Sequence, residues 1–515
     1  MNWPIRRASA TLETMKRGRI TVSQEFSRRC FLASAVTCAA TAFLDSKSYA
    51  DAFQKTPLET AGISATKLQA MTRTLEINGK AATVMGVQQT NGTQGLIANV
   101  NQPFRVLLEN KLSVPTAIHW HGLHPPNNQD GVPGVTQPVI RPDSSILYDF
   151  PLQPAGTHWM HSHQGLQEAF LLSAPLIVHD PIDRTRDEQE IVAFLGDFSF
   201  TPPKEIYAKL RTPKKTPMPG MSGKTAGSQG MAGMKMGMGK PDANDWNYDA
   251  YLANDRTLND PAVVHVEKGG RVRLRIINGS SGTNFFVDLG SLEGELIATD
   301  GMAVHPLRGR RFPLAIAQRI DLRIQLPREG GGFPILALRE GAAEQTGIIL
   351  ATKGASIKRL PVGASVPAGL LDLSLESHLV AAEPLIAKAV DQVHVLRLQG
   401  DMARYAWLIN GESFDVSNPG TQTPQIRVRA GQRVALKFVN DTGMSHPMHL
   451  HGHSFQVIDI NGGALNGALR DTILVAPGTS VTVAFDANNP GLWYVHCHVL
   501  WHLAAGMATL VQYDA

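Results

Sequence analysis

Residues 102–110 read QPFRVLLEN, residues 270–278 read GRVRLRIIN and residues 432–440 read QRVALKFVN. Each alternates apolar with polar side chains and ends on an asparagine. A period of two places successive side chains on opposite faces of an extended chain, so all three predict β-strands. Nine residues past each asparagine the first copy has His119-Trp120-His121, the third has His449-Leu450-His451 and the middle has Val287-Asp288-Leu289. A second register agrees. Gly156 leads after five residues to His161-Ser162-His163, Gly491 to His496-Cys497-His498, and Gly332 to Ala337-Leu338-Arg339. The chain therefore reads as all-β, with three β-sandwich repeats whose outer copies carry histidines and whose middle copy carries none in these places.

On a strand, residues i and i+2 share a face about 6.5 Å apart, so each His-x-His aims two imidazoles the same way. One such pair is weak evidence. Four in matched repeat positions supply eight nitrogen donors with no carboxylate or cysteine cluster beside them, a set that favours copper over zinc or iron. Cys497 lies between His496 and His498 and must face the opposite side of their strand. His446, three residues before His449, has the opposite parity from His449 and His451. With His502 and Met507 close behind Cys497, these residues make two imidazoles, a thiolate and a weak axial thioether, the blue-copper set used in electron transfer.

The rest of the composition narrows the setting. The 515 residues are 43% hydrophobic and 18% charged with a net charge of +4, ordinary for a globular protein with a sizeable core and without a basic stripe that would suggest nucleic acid. Residues 27–32 read SRRCFL and lead into the apolar run ASAVTCAATAFL and a small-x-small site at Ser48-Tyr49-Ala50. That pattern predicts a twin-arginine export signal cleaved before Asp51. Its apolar run is too short for a bilayer core of ~30 Å, so no stable membrane insertion is expected. The product is expected to be extracytoplasmic, and periplasmic in a Gram-negative cell. Loss of Cys30 and Cys38 with the signal leaves Cys497 alone, which excludes an intramolecular disulfide.

The blocks HWHG (119–122), HWMHSH (158–163), HPMHLHGHSF (446–455) and HCHVLWHLAAGM (496–507) resemble the four copper signatures of the multicopper oxidases, over residues 68–515. The resemblance implies three consecutive cupredoxin-like Greek-key sandwiches at 68–185, 190–355 and 386–515, after a signal at 1–50. It implies four copper ions. The type 1 ion falls to His446, Cys497, His502 and Met507, and the type 2 ion to His119 and His449. The type 3 pair falls to His121, His161, His163, His451, His496 and His498. The trinuclear cluster is then expected between the outer domains, with dioxygen reduced there to water. Asp130, in NNQDGVPG, resembles the family's acidic residue near type 2 copper. Where many metal-oxidising relatives carry a second carboxylate, this chain has Leu503.

Residues 217–240, PMPGMSGKTAGSQGMAGMKMGMGK, hold six of the sixteen methionines: Met218, Met221, Met231, Met234, Met236 and Met238. Soft sulfur selects Cu(I), so the stretch is expected to capture that ion. Met444 matches a methionine of copper-tolerance relatives and could pass an electron inward. The expected activity is a periplasmic cuprous oxidase serving copper tolerance. The alternatives are a laccase acting mainly on small phenols and a protein that only sequesters copper.

Overall fold

The three asparagine-ended segments occupy one structural position three times. In this computed structural model, which describes residues 64–212 and 243–514, they are strands Pro103–Asn110, Arg271–Asn278 and Arg433–Asn440. Each runs parallel to the first strand of its sandwich, Thr66–Ile77, Gln189–Phe198 or Gln392–Asp401. Each pairs antiparallel on its other side with Ser145–Pro151, Arg319–Gln325 or Ser480–Asp486. Their alternate residues enter the cores: Phe104, Val106 and Leu108; Val272, Leu274 and Ile276; Val434, Leu436 and Phe438 are all buried. Each such side chain contributes about 1.5–3 kcal/mol of burial. The expected signal at 1–50 and the methionine stretch at 217–240 lie outside the described residues.

The closing asparagines have a common physical job. Asn110 Nδ2 donates to the carbonyls of Val114 and Ile140, Asn278 Nδ2 to those of Thr283 and Leu314, and Asn440 Nδ2 to those of Met444 and Val475. Each Oδ1 accepts a main-chain N–H two residues on, from Leu112, Ser280 or Thr442. One side chain thus satisfies three buried backbone groups and fixes the loop that carries the chain to its second sheet.

In that second sheet, Ile118–His121 pairs antiparallel with Gly156–Ser162, Phe285–Asp288 with Gly332–Arg339, and His446–Leu450 with Leu492–Cys497. The register sets His119 opposite His161, Val287 opposite Ala337, and His449 opposite His496. The two registers read from the sequence are therefore cross-strand partners. Two sheets in each third of the chain make three cupredoxin-like sandwiches. Among the described residues, no helix is long and apolar enough to cross a membrane.

Candidate metal centre

His446, Cys497 and His502 offer ligand atoms that all lie within 4.8 Å of one another, and all three side chains are buried. Cys497 Sγ is 3.6 Å from His446 Nδ1 and 3.5 Å from His502 Nδ1, and the two nitrogens are 3.1 Å apart. The outer nitrogen of His446 has a hydrogen-bond partner, and that of His502 has a nearby carboxylate. Thr442 Oγ1 donates to Asn440 Oδ1, so it accepts the His446 Nε2 proton across 2.7 Å. His502 Nε2 lies 3.0 Å from Asp245 Oδ2. The His446 Nδ1 lone pair consequently points at the sulfur with His502 Nδ1 beside it, a donor set that suits a soft cation. Burial pushes the Cys497 thiol far above its ordinary value, and a soft metal that displaces the proton reverses that cost. Trp407 walls the group, its ring 4.0 Å from that of His502. Met507 is buried, and its carbonyl accepts from Cys497 N at 3.0 Å.

The other face of the Cys497 strand meets the first sandwich. The rings of His121 and His449 stack with centroids 3.8 Å apart, and those of His119 and His451 lie 3.9 Å apart. Three ligand triplets form: His119, His121 and His449; His121, His161 and His498; His163, His451 and His496. His451 Nε2 and His496 Nε2 are 3.0 Å apart. His451 Nδ1 donates to Asp130 Oδ2 at 2.8 Å and His496 Nδ1 to the Cys497 carbonyl at 3.0 Å, so two lone pairs face each other. Buried His119 Nε2, His121 Nδ1, His161 Nε2, His163 Nε2, His449 Nε2 and His498 Nε2 have no protein partner at all. Buried polar atoms are rarely left so, and nitrogen donors gathered around one space fit copper. Burial first, and neighbouring imidazoles second, hold His121, His163 and His449 well below the usual imidazole range. Neutral imidazole is the form that binds metal.

Two aspartates hold this cluster in mirrored fashion. Asp130 accepts from His119 Nδ1 on its carbonyl (2.9 Å) and reaches across with its carboxylate to His451 of the third sandwich. Asp471 accepts from His449 Nδ1 on its carbonyl (2.8 Å) and reaches back with Oδ1 to His121 Nε2 at 3.0 Å. Glu168 Oε2 lies 2.9 Å from His161 Nδ1. Burial raises this carboxyl well above the ordinary carboxylate range.

The structure brings together the ten histidines and Cys497 singled out from the sequence, and sets Asp130 against them. Leu503 is partly buried against an apolar cluster that includes Tyr494 and Leu510. Met444 is buried in the same core as Met448. The six methionines of 217–240 lie outside the described residues. Sequence reasoning missed Asp245, Thr442, Glu168 and Asp471. Asp245 stands just past the methionine stretch, and Asp471 had no histidine near it in sequence to mark it.

Family models described as multicopper oxidase match residues 69–183, 190–355 and 389–515. The chain is 33% identical over 424 residues to Multicopper oxidase MmcO of Mycobacterium tuberculosis, covering 81% of this chain and 80% of that protein. It is 25% identical over 526 residues to Copper resistance protein A of Escherichia coli, covering 79% and 85%. The solved structure of Fet3p, a multicopper oxidase that functions in iron import, shares the fold at a TM-score of 0.72 and 19% identity, over 88% of this chain and 90% of that one. Three matched segments that span nearly all of the described residues, together with these histidine clusters, show that the chain belongs to the multicopper oxidase family.

Proposed function

We propose that this chain oxidises Cu(I), with phenols as secondary donors, and couples that oxidation to the four-electron reduction of dioxygen to water in the service of copper tolerance. His446, Cys497, His502 and Met507 hold the type 1 ion, and His119 with His449 the type 2 ion. His121, His161 and His498 hold one ion of the type 3 pair, and His163, His451 and His496 the other. Copper bound in these four places supplies one-electron redox chemistry and stores the electrons that dioxygen needs.

The observation that carries the donor assignment is Asp245. Its carboxylate, with a side chain only 1% exposed, abuts His502 Nε2, on the edge of the ligand where an electron enters. A fixed negative charge there favours a cationic donor. Described residues on either side of the methionine-rich stretch also lie beside this edge. Before it, in helix Pro203–Leu210, the Tyr207 hydroxyl donates to the carbonyl of Ala504 at 2.7 Å, two residues past His502; after it comes Asp245. Soft sulfur donors between these anchors suit Cu(I). Copper resistance protein A among the relatives supports the same physiological role, and the SRRCFL pattern supports the periplasm after twin-arginine export as its place.

On the oxygen side, Asp130 accepts from His451 Nδ1, a contact that supports proton delivery to the cluster as its role. Thr442 and Asp245 fix the type 1 rings, and the peptide of Cys497 joins its sulfur directly to His496 and His498.

Oxygen uptake with Cu(I) beside a phenol tests the donor. Deleting residues 217–240 should raise the KM for Cu(I) while phenol oxidation holds steady or rises. Asp245→Asn should weaken Cu(I) use by roughly tenfold, equivalent to ~1.4 kcal/mol. Equal loss with both donors would withdraw the cuprous oxidase in favour of the laccase. Copper binding without oxygen uptake would leave only sequestration.

A further inference from the structure

The middle sandwich has no histidine in the ligand registers, yet one of its side chains reaches the cluster. Arg319 opens strand Arg319–Gln325 and is completely buried. A guanidinium has five N–H donors, and here every one finds an acceptor. Nε donates to the Thr157 carbonyl (3.0 Å) and Nη1 to the Ala317 carbonyl (3.2 Å) and Asp471 Oδ1 (2.7 Å). Nη2 donates to the Asp300 carbonyl (2.9 Å) and to Asp471 Oδ2. These acceptors come from the first sandwich, the middle one and the third, so Arg319 ties all three at a single point.

Its bidentate partner Asp471 is the residue that accepts from His121 Nε2. That bond puts the proton on Nε2 and leaves the lone pair on Nδ1, which is buried and without a protein partner. His119, His449, His451 and His496 are held the other way, by Nδ1. His121 thus presents the opposite nitrogen from these four, held by Asp471 and, at 3.2 Å, by Thr472 Oγ1, whose hydroxyl itself donates to Asp471 Oδ1. Asp130, the mirror-related aspartate, has only histidines as ion-pair partners among the described residues; the arginine clamp is specific to the Asp471 side. Gly122 supplies an independent mark of the same packing. It has φ +93°, and a Cβ there would come within 2.7 Å of Arg319 Nη2 and 3.1 Å of Asp471 Oδ2, as well as 2.4 Å of His158 Nδ1. The glycine of HWHG leaves room for this ion pair.

We propose that Arg319 is a positioning residue of the trinuclear centre. By clamping Asp471 it fixes the ring nitrogen that His121 offers, and so makes metal occupancy at His121, His161 and His498 depend on docking of the copper-free middle sandwich. The proposal rests on the copper reading above.

The test is copper content and spectroscopy of the purified full chain. Arg319→Met should weaken copper binding at that one position by about 10- to 100-fold, the usual cost of losing an outer partner of a metal ligand. The coupled pair should then give way to an uncoupled, paramagnetic copper, while the blue type 1 band stays. That band reports folding, since His446, Cys497 and His502 do not touch Arg319. Arg319→Lys, with three donors in place of five, should fall between. Gly122→Ala should reproduce the loss from the other side. If Arg319→Met does not fold, Asp471→Asn takes its place with the same expected spectrum. A variant that melts earlier but keeps the coupled pair and full copper per type 1 site would overturn the proposal, leaving Arg319 a purely structural tie. A wild-type protein without a coupled pair would instead overturn the copper reading beneath it.

Discussion

The second-sheet strands of the outer sandwiches and that of the middle one share a frame and differ in what they place on it. His119 faces His161 and His449 faces His496, whereas in the middle Val287 faces Ala337 across the same ladder position. Val287 and Ala337 are buried in an apolar core, while the histidines line a polar cleft between two sandwiches. The frame therefore does not depend on the metal. It depends on the alternating strand and on the asparagine that closes it, both present in all three copies. The middle sandwich has instead become a strut that contributes the clamp on Asp471.

The sharpest contrast lies within the third sandwich, whose strand Leu492–Cys497 is used on both faces while its middle counterpart is used on neither. Cys497→Ser removes the sulfur but leaves His496 and His498 turned to the opposite side. The expected result is complete loss of the blue colour and of turnover, with roughly three coppers per chain still bound. Absorption, oxygen uptake and metal analysis on one preparation check all three. Retention of either colour or turnover would show that the two faces do not serve separate copper sites.

Most of this was legible because strand periodicity and a repeated offset are local signals. His-x-His states its own geometry, since residues i and i+2 must share a face. The partners that orient the rings were not legible, because they reach their histidines through tertiary packing: Asp471 lies 350 residues from His121 in sequence, and Asp245 meets His502 only after a helix and a long connection. Asp130 was found by family resemblance. Its counterpart Asp471 sits in LRDTILV, which reads as the start of an ordinary strand. The glycine of HWHG was visible, but its reason, a guanidinium from another sandwich, was not.

The asparagines give the next largest effect and test whether the frame is equivalent in all three copies. Removing Asn278 strands two carbonyls and one N–H in the core, at about 1–3 kcal/mol for each group left unsatisfied. Asn278→Ala should lower the melting temperature and leave the copper spectra unchanged. Asn440→Ala should cost similar stability and also disturb the blue band, because Asn440 Oδ1 holds the Thr442 hydroxyl that accepts from His446. If both variants left the spectra alone, the Thr442 bond would not govern the type 1 ring.

The smallest effect is a dependence on pH that the outer and middle strands should not share. In the copper-free protein, burial and then neighbouring imidazoles push His121, His163, His449 and His451 well below the usual value. Burial takes His496 to about 4. Unfolded imidazoles protonate below about 6.5. With the folded values depressed, the unfolded chain binds more protons between those limits. Stability is therefore fully present above pH ~6.5 and is lost as pH falls toward the folded values. Opening a histidine-bearing strand admits the same protons locally. In chelator-treated protein, amide protection factors in Ile118–His121 and His446–Leu450 should fall between pH ~7 and ~5, relative to those in Phe285–Asp288, whose register positions hold valine and leucine in place of histidine. An equal fall in all three strands would mean that the chain opens as one unit, and the local separation between the histidine-bearing and apolar strands would not hold.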